Sequence, residues 1–131
     1  MPEYNNDVLI YLKSSFEKVN EFLGADEMRC NCGETWCTVT IVNAKAAESF
    51  RRLRELIGKP LYISSGYRCQ YHNNINVRNS SGTSRHMTGE AMDIIKPEHL
   101  ALDKFEILAK SAGFSFTKKY TNPERLHCDV R

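Results

Sequence analysis

The segment SRHMTGEAMDI, residues 84–94, is the most informative part of the sequence, because it joins a polar turn to a strand that carries a carboxylate. Gly89 interrupts the polar part, and the mostly apolar residues 90–95 are typical of a buried strand. His86 precedes the turn, and Asp93 lies within the strand. An acid in such an apolar run needs a partner, and a metal ion is a suitable one.

Working backwards along the chain, the sequence predicts a long loop, a short strand and a helix. Residues 70–85 are polar and predict the loop, whereas residues 61–65 alternate like a strand. Residues 44–57 carry one apolar stripe at helical spacing, with Asn43 as the N-cap and Gly58 at the expected stop.

The N-terminal part predicts an amphipathic helix, because apolar residues recur at helical spacing over residues 8–23 and Gly24 can end it. Residues 28–42 predict a loop that leads into a short β-branched strand. We therefore expect an N-terminal helical segment at residues 1–27 and the functional domain at residues 28–131, together forming one compact domain.

Working forwards, residues 97–112 predict a helix, and residues 114–120 and 126–130 predict two strands. The turn-forming residues 121–125 join these strands into a hairpin. This mixed order favours an α+β fold, a single domain in which helices pack on an antiparallel sheet. A chain of 131 residues suits one such domain.

The charge pattern argues against several classes of partner. The 18 basic and 16 acidic residues are interleaved and give a net charge of +2, so neither nucleic acid nor an anionic membrane is expected to bind. No apolar run approaches the roughly 20 residues of a membrane span, and no signal peptide is visible. We expect a monomer that is cytoplasmic as synthesised.

Two histidines and one aspartate form a plausible zinc set: His86, Asp93 and His127. Strand alternation allows Asp93 and His127 to lie side by side on adjacent strands. Glu124 fits the general base, and it must approach from the turn, because its parity is opposite to that of His127. Asp129 is the alternative base.

The five cysteines are an odd number, which favours a reducing compartment. Cys30, Cys32 and Cys37 lack zinc-ribbon spacing and would need a fourth ligand such as Cys69 to bind a second metal. Reduced thiols are favoured over a second metal or a disulfide, and both alternatives stay open.

Three ordered motifs carry a family resemblance: SGYRCQYHN at residues 65–73, SRHMTGEAMDI at residues 84–94 and ERLHCDVR at residues 124–131. Over residues 28–131 the chain resembles peptidase family M15, the zinc D-Ala-D-Ala carboxypeptidases and related phage peptidoglycan peptidases. The resemblance implies the fold shared by hedgehog signalling domains and D,D-peptidases.

For the site, the resemblance implies that Zn²⁺ binds to His86, Asp93 and His127, that Glu124 is the base, and that Arg68 faces the substrate carbonyl. A planar cation such as Arg68 could stabilise an oxyanion or hold a carboxylate with two bonds. Ser84 is expected to donate a hydrogen bond to the substrate or to support the site from behind.

The expected activity is that of a zinc metallopeptidase that hydrolyses amide bonds in bacterial peptidoglycan peptides next to a D-amino acid. It would be a D,D-carboxypeptidase or an endopeptidase, and as an endolysin it would act at the cell wall after phage-type release. The alternative is a non-catalytic zinc domain that binds cell-wall fragments or a protein partner.

Overall fold

The computed structural model describes residues 7–70 and 84–131, so residues 71–83 of the predicted loop lie outside the described part. The described residues form eight strands and two α-helices: β1 Val8–Leu12, β2 Lys18–Asn20, β3 Leu23–Gly24, β4 Val39–Asn43, α1 Ala44–Ile57, β5 Ile63–Ser65, β6 Ala91–Ile95, α2 Leu102–Ala112, β7 Phe116–Tyr120 and β8 Arg125–Asp129.

The main sheet has four antiparallel strands in the order β5-β6-β8-β7. The predicted C-terminal hairpin is present as β7 and β8, and both flank the expected turn. Helices α1 and α2 contact each other, and α2 also contacts β7 and β8. The largest buried side chains between these layers include Phe50, Met92, Phe105, Phe114 and Leu126. The α+β prediction is therefore confirmed.

The predicted helix at residues 8–23 is wrong, and with it the helical character expected of residues 8–23 within the N-terminal segment 1–27. Strand β1 pairs antiparallel with β4, whereas β2 pairs with β3. In the described part of this segment, helical residues occur only in the 3₁₀ helix Ala25–Met28. Alternate residues of β1 are exposed, as is typical of a strand. Its five bulky residues suit a strand once a partner strand is available.

Helix α1 matches its prediction at both ends. The Asn43 side chain accepts a hydrogen bond from the backbone N–H of Ala46 at 3.0 Å. Gly58 adopts a left-handed φ of 74° and donates its N–H to the carbonyl of Arg54 at 2.9 Å. The two caps explain why the helix begins and ends where the sequence indicates.

Helix α2 begins later than the predicted residue 97. The N–H of Leu100 donates to the carbonyl of Pro97 at 3.2 Å, which forms a turn. The Lys96 ammonium donates to both the Pro97 and the Leu100 carbonyl oxygens, so these acceptors are already engaged before the helix starts.

Neither α-helix in the described ranges has the length and apolarity to cross a bilayer.

Candidate metal centre

Asp93 and His127 lie directly opposite each other on the neighbouring strands β6 and β8. The Oδ1 atom of Asp93 is 3.1 Å from the Nδ1 atom of His127. The prediction that adjacent strands present these two side chains together is confirmed. The register of the sheet therefore brings together two of the three candidate ligands.

His86 enters from the 3₁₀ helix Arg85–Thr88, which ends two residues before β6 begins. Its Nε2 atom is 3.2 Å from Oδ1 of Asp93 and 3.3 Å from Nδ1 of His127. Gly89 ends this short helix with a φ of 73°, and a Cβ atom there would overlap the backbone of Ile41. A glycine is therefore needed for the chain to turn from His86 into β6.

Ser84 is the N-cap of this short helix. Its hydroxyl oxygen accepts a hydrogen bond from the backbone N–H of His86 at 3.2 Å. Ser84 thus supports the backbone position of His86, as one of its two predicted roles requires. A contact between Ser84 and substrate stays a prediction.

The outer nitrogen of each histidine is held by an acceptor. Nδ1 of His86 lies 2.7 Å from the carbonyl oxygen of Gly66, which can only accept, so Nδ1 carries a proton and Nε2 is the nitrogen turned towards Asp93. Nε2 of His127 lies 2.8 Å from Oδ2 of Asp129. Nδ1 of His127 is thereby the nitrogen turned towards Asp93. This is how metal-binding histidines are usually oriented.

Asp129 is wholly buried, and both of its oxygens are engaged. Nε of Arg131 donates to Oδ1 at 2.9 Å, and Nη2 donates to Oδ2 at 2.9 Å. Although burial raises the pKa of Asp129, hydrogen bonds from His127 and Arg131 lower it below its usual value. The structure therefore gives Asp129 a positioning role, which our sequence analysis missed. The sequence signal for this role is that Asp129 follows His127 by two residues and so lies on the same face of the strand.

Asp93 is also buried and ionised. Burial raises the pKa of its carboxyl, but hydrogen bonds and charge interactions with His127 and His86 outweigh burial and hold that pKa far below its usual range. The ligand atoms of the three residues therefore converge within 3.1–3.3 Å of one another. A cation bound between them would take the place of the protons through which the histidines contact Asp93.

The donor set fits zinc in chemistry and in size. Nitrogen and carboxylate ligands at about 2.0–2.1 Å from a tetrahedral ion stand about 3.3–3.4 Å apart, close to the separations observed here. His86 and Asp93 are buried and His127 is nearly so. The fourth direction needed for water or substrate is not filled by any of these three residues.

Arg68 contacts the ligand set through Asp93. Its Nη2 donates to the second carboxylate oxygen, Oδ2, at 3.2 Å, and its Nε donates to the Ser65 hydroxyl at 3.0 Å. Burial lowers the pKa of Arg68, and the charge of Asp93 opposes that effect. The guanidinium is thus fixed beside the centre, whereas its predicted contact with a substrate carbonyl stays a prediction.

Glu124 lies in the turn that leads into β8, as its parity predicts. Its backbone carbonyl accepts from the N–H of Lys96 at 3.1 Å, which ties the turn to the end of β6. The side chain is exposed, and its carboxylate makes no hydrogen bond or ion pair with the described residues. Its carboxylate is therefore available, and its role as base stays a prediction.

The fold and the convergent donors define a single-domain α+β protein with a candidate zinc centre of two histidines and one aspartate. A family model, peptidase M15, matches residues 21–129. The chain therefore belongs to the peptidase M15 family, which confirms the resemblance drawn from its motifs and identifies it as a peptidase. A search of curated proteins finds no match.

Proposed function

We propose that this protein is a zinc-dependent peptidase that hydrolyses amide bonds in bacterial peptidoglycan peptides, next to a D-amino acid. The observation that carries the proposal is the convergence of His86, Asp93 and His127, each oriented from behind by a hydrogen bond or an ion pair. Membership of the M15 family supports the peptidase activity. The cell-wall substrate follows from the motif resemblance.

When bound by these residues, zinc supplies Lewis-acid chemistry that polarises a carbonyl and makes water nucleophilic at neutral pH. Glu124 takes the proton from the attacking water and returns it to the leaving amine, so that one carboxylate serves both steps. An exposed carboxylate on a turn next to β8 can exchange protons with substrate and solvent.

Arg68 stabilises the negative charge that develops on the scissile carbonyl oxygen. Its contacts with Asp93 and Ser65 hold the guanidinium in place before substrate arrives, so little reorganisation is needed. Asp129 acts indirectly, because its carboxylate is engaged by His127 and Arg131 and thereby positions His127.

The decisive experiment uses Glu124→Gln, which keeps size and hydrogen bonding but removes basicity. We expect unchanged zinc content and folding, with a loss of about 10² to 10⁴ in the rate of amide cleavage. The substrates are purified peptidoglycan and a short peptide ending in D-Ala-D-Ala, assayed by the release of new amino groups. The exposed Glu98 provides the matched control as Glu98→Gln.

The same assay distinguishes the alternatives. Release of free D-Ala indicates a carboxypeptidase, whereas release of longer fragments indicates an endopeptidase. Equal rates for Glu124→Gln and the zinc-loaded wild type would remove Glu124 as the base. Binding of wall fragments without cleavage by the zinc-loaded wild type would favour the non-catalytic domain instead. A matching L-Ala-L-Ala peptide tests the D-amino-acid requirement.

A further inference from the structure

A second cluster of metal-ligating side chains lies outside the histidine-aspartate centre. The sulfurs of Cys30, Cys32, Cys37 and Cys69 all lie within 4.8 Å of one another. Three of them come from the segment between the 3₁₀ helix Ala25–Met28 and β4, and Cys69 follows β5. We propose that these four thiolates bind a second, structural zinc ion.

The sulfur separations match tetrahedral coordination. The Sγ atoms of Cys30 and Cys69 are 3.6 Å apart, and those of Cys69 and Cys32 are 3.8 Å apart. Four sulfurs at about 2.3 Å from a tetrahedral ion stand about 3.8 Å from one another. A disulfide would need about 2.05 Å between two of them. The observed spacing is therefore that of a coordination shell.

Backbone N–H groups point at the sulfurs. The N–H of Cys69 donates to Sγ of Cys30 at 3.4 Å, and the N–H of Glu34 donates to Sγ of Cys32 at 3.4 Å. The second contact depends on Gly33, whose φ of 74° turns the chain back towards Cys32. Such donors stabilise the negative charge of thiolate ligands.

A lysine balances the charge that the site would carry. Four thiolates and one Zn²⁺ have a net charge of −2, and Nζ of Lys13 lies 3.6 Å from Sγ of Cys32. Lys13 is held at the end of β1, where its N–H donates to the carbonyl of Thr38 at 2.7 Å. A nearby cation lowers the electrostatic cost of this anionic shell.

The site has the features of a structural ion rather than a catalytic one. Four sulfur ligands fill a tetrahedral shell and leave no position for water. Cys30, Cys37 and Cys69 are each buried, with at most 6% of their surface exposed, and Tyr67 packs against them. Bound zinc here would stabilise the fold directly.

The ion would also fix the backbone that supports the histidine-aspartate centre. Cys69 directly follows Arg68, whose backbone N–H donates to the carbonyl of His86 at 3.0 Å. The N–H of Tyr67 donates to the carbonyl of Met28 at 2.8 Å, close to Cys30 in the chain. The tetrathiolate site thus joins the N-terminal segment to the chain that carries Gly66 and Arg68.

The test separates the two ions by their ligands. Protein is purified under reducing conditions, supplied with zinc and freed of excess metal, and its zinc is measured by elemental analysis and X-ray absorption. The His86→Ala/His127→Ala double variant should keep one zinc per chain, surrounded by sulfur at about 2.3 Å. Cys32→Ser should lose that sulfur-bound ion, and Cys128→Ala should keep it, because Cys128 lies in the main core.

Two results would overturn the proposal. One is a folded double histidine variant that holds no sulfur-bound zinc after this treatment. The other is an undiminished sulfur-bound ion in Cys32→Ser and in Cys37→Ser. If a cysteine variant does not fold, the measurement on the double histidine variant decides alone. Since that variant lacks the proposed catalytic ion, its result is independent of the proposed function.

Discussion

Replacing Asp129 by asparagine tests whether this buried carboxylate holds His127 in its metal-binding orientation. The carboxylate accepts three N–H bonds, one from His127 at 2.8 Å and two from Arg131 at 2.9 Å each. An asparagine has only one oxygen, so its NH₂ group must face one of these donors in either orientation. Arg131 is 43% exposed and can turn to water, whereas His127 cannot, so we expect the amide nitrogen to face Arg131.

The expected loss of zinc affinity follows from the hydrogen bond that His127 keeps in the variant. The bond from His127 to an ionised acceptor is worth about 1.5–3 kcal/mol, and the bond to a neutral amide is worth about 0.5–1.5 kcal/mol. The difference of about 1–1.5 kcal/mol corresponds to roughly a tenfold loss of zinc affinity at the histidine-aspartate centre. This lies at the lower end of the 10- to 100-fold range typical of groups behind metal ligands.

The zinc dissociation constant is measured by competition with a chromophoric chelator, and thermal unfolding of the metal-free protein checks the fold. Asp103→Asn is the matched control, because Asp103 is 81% exposed and its ion pair is with Lys119 rather than with any of the three ligand candidates. An unchanged zinc affinity in folded Asp129→Asn would refute the positioning role. An equal loss in Asp103→Asn would show that the effect is not local.

Three further predictions concern stability and pH. Gly58→Ala should cost about 1 kcal/mol of unfolding free energy in urea titrations, because residue 58 has a left-handed φ. Gly89→Ala should cost clearly more, because a Cβ atom at residue 89 also meets the backbone of Ile41. Equal costs for the two variants would contradict this prediction. Asn43→Ala should cost about 1 kcal/mol in the same assay by removing the α1 cap, and a change near zero would exclude that cap as a stabilising contact. Burial lowers the pKa of His127, but its bonds to Asp129 and Asp93 raise that pKa above its usual value overall. Protons should therefore compete with zinc from a higher pH than for an ordinary histidine. Chelator competition across pH checks this, and affinity that stays constant until well below pH 6.5 would contradict it.

The sequence predicts best where local signals are complete. Helix α1 has both of its caps in the sequence, at Asn43 and Gly58, and the structure uses both. The strands β7 and β8 flank turn-forming residues, and in β8 the apolar Leu126 and Cys128 alternate with polar residues. These elements need no information from distant parts of the chain.

The N-terminal strands could not be predicted in this way. Residues 8–12 are five bulky residues in a row, which suit either a helix face or a strand. What decides between them is the partner strand β4, about thirty residues further along the chain. The propensity of an isolated segment does not contain that pairing.

The sequence predicts the three ligand candidates and a supporting role for Ser84, but not the other groups that hold the ligands. His86, Asp93 and His127 are residue types with a direct relation to metal chemistry. The acceptor for His86 is instead a backbone carbonyl, that of Gly66, which residue type does not reveal. The Asp93 contact of Arg68 likewise depends on the approach of β5 to β6.

Because the ligands are far apart in the sequence, we expect the histidine-aspartate centre to form late in folding. His86 and His127 are 41 residues apart, and Asp93 and His127 are 34 residues apart. Closing loops of this length is entropically costly, so such contacts form late compared with the turns of α1. The three donors come together only once β8 has docked in register beside β6. During refolding, the appearance of tight zinc binding at this centre therefore times the completion of the central sheet.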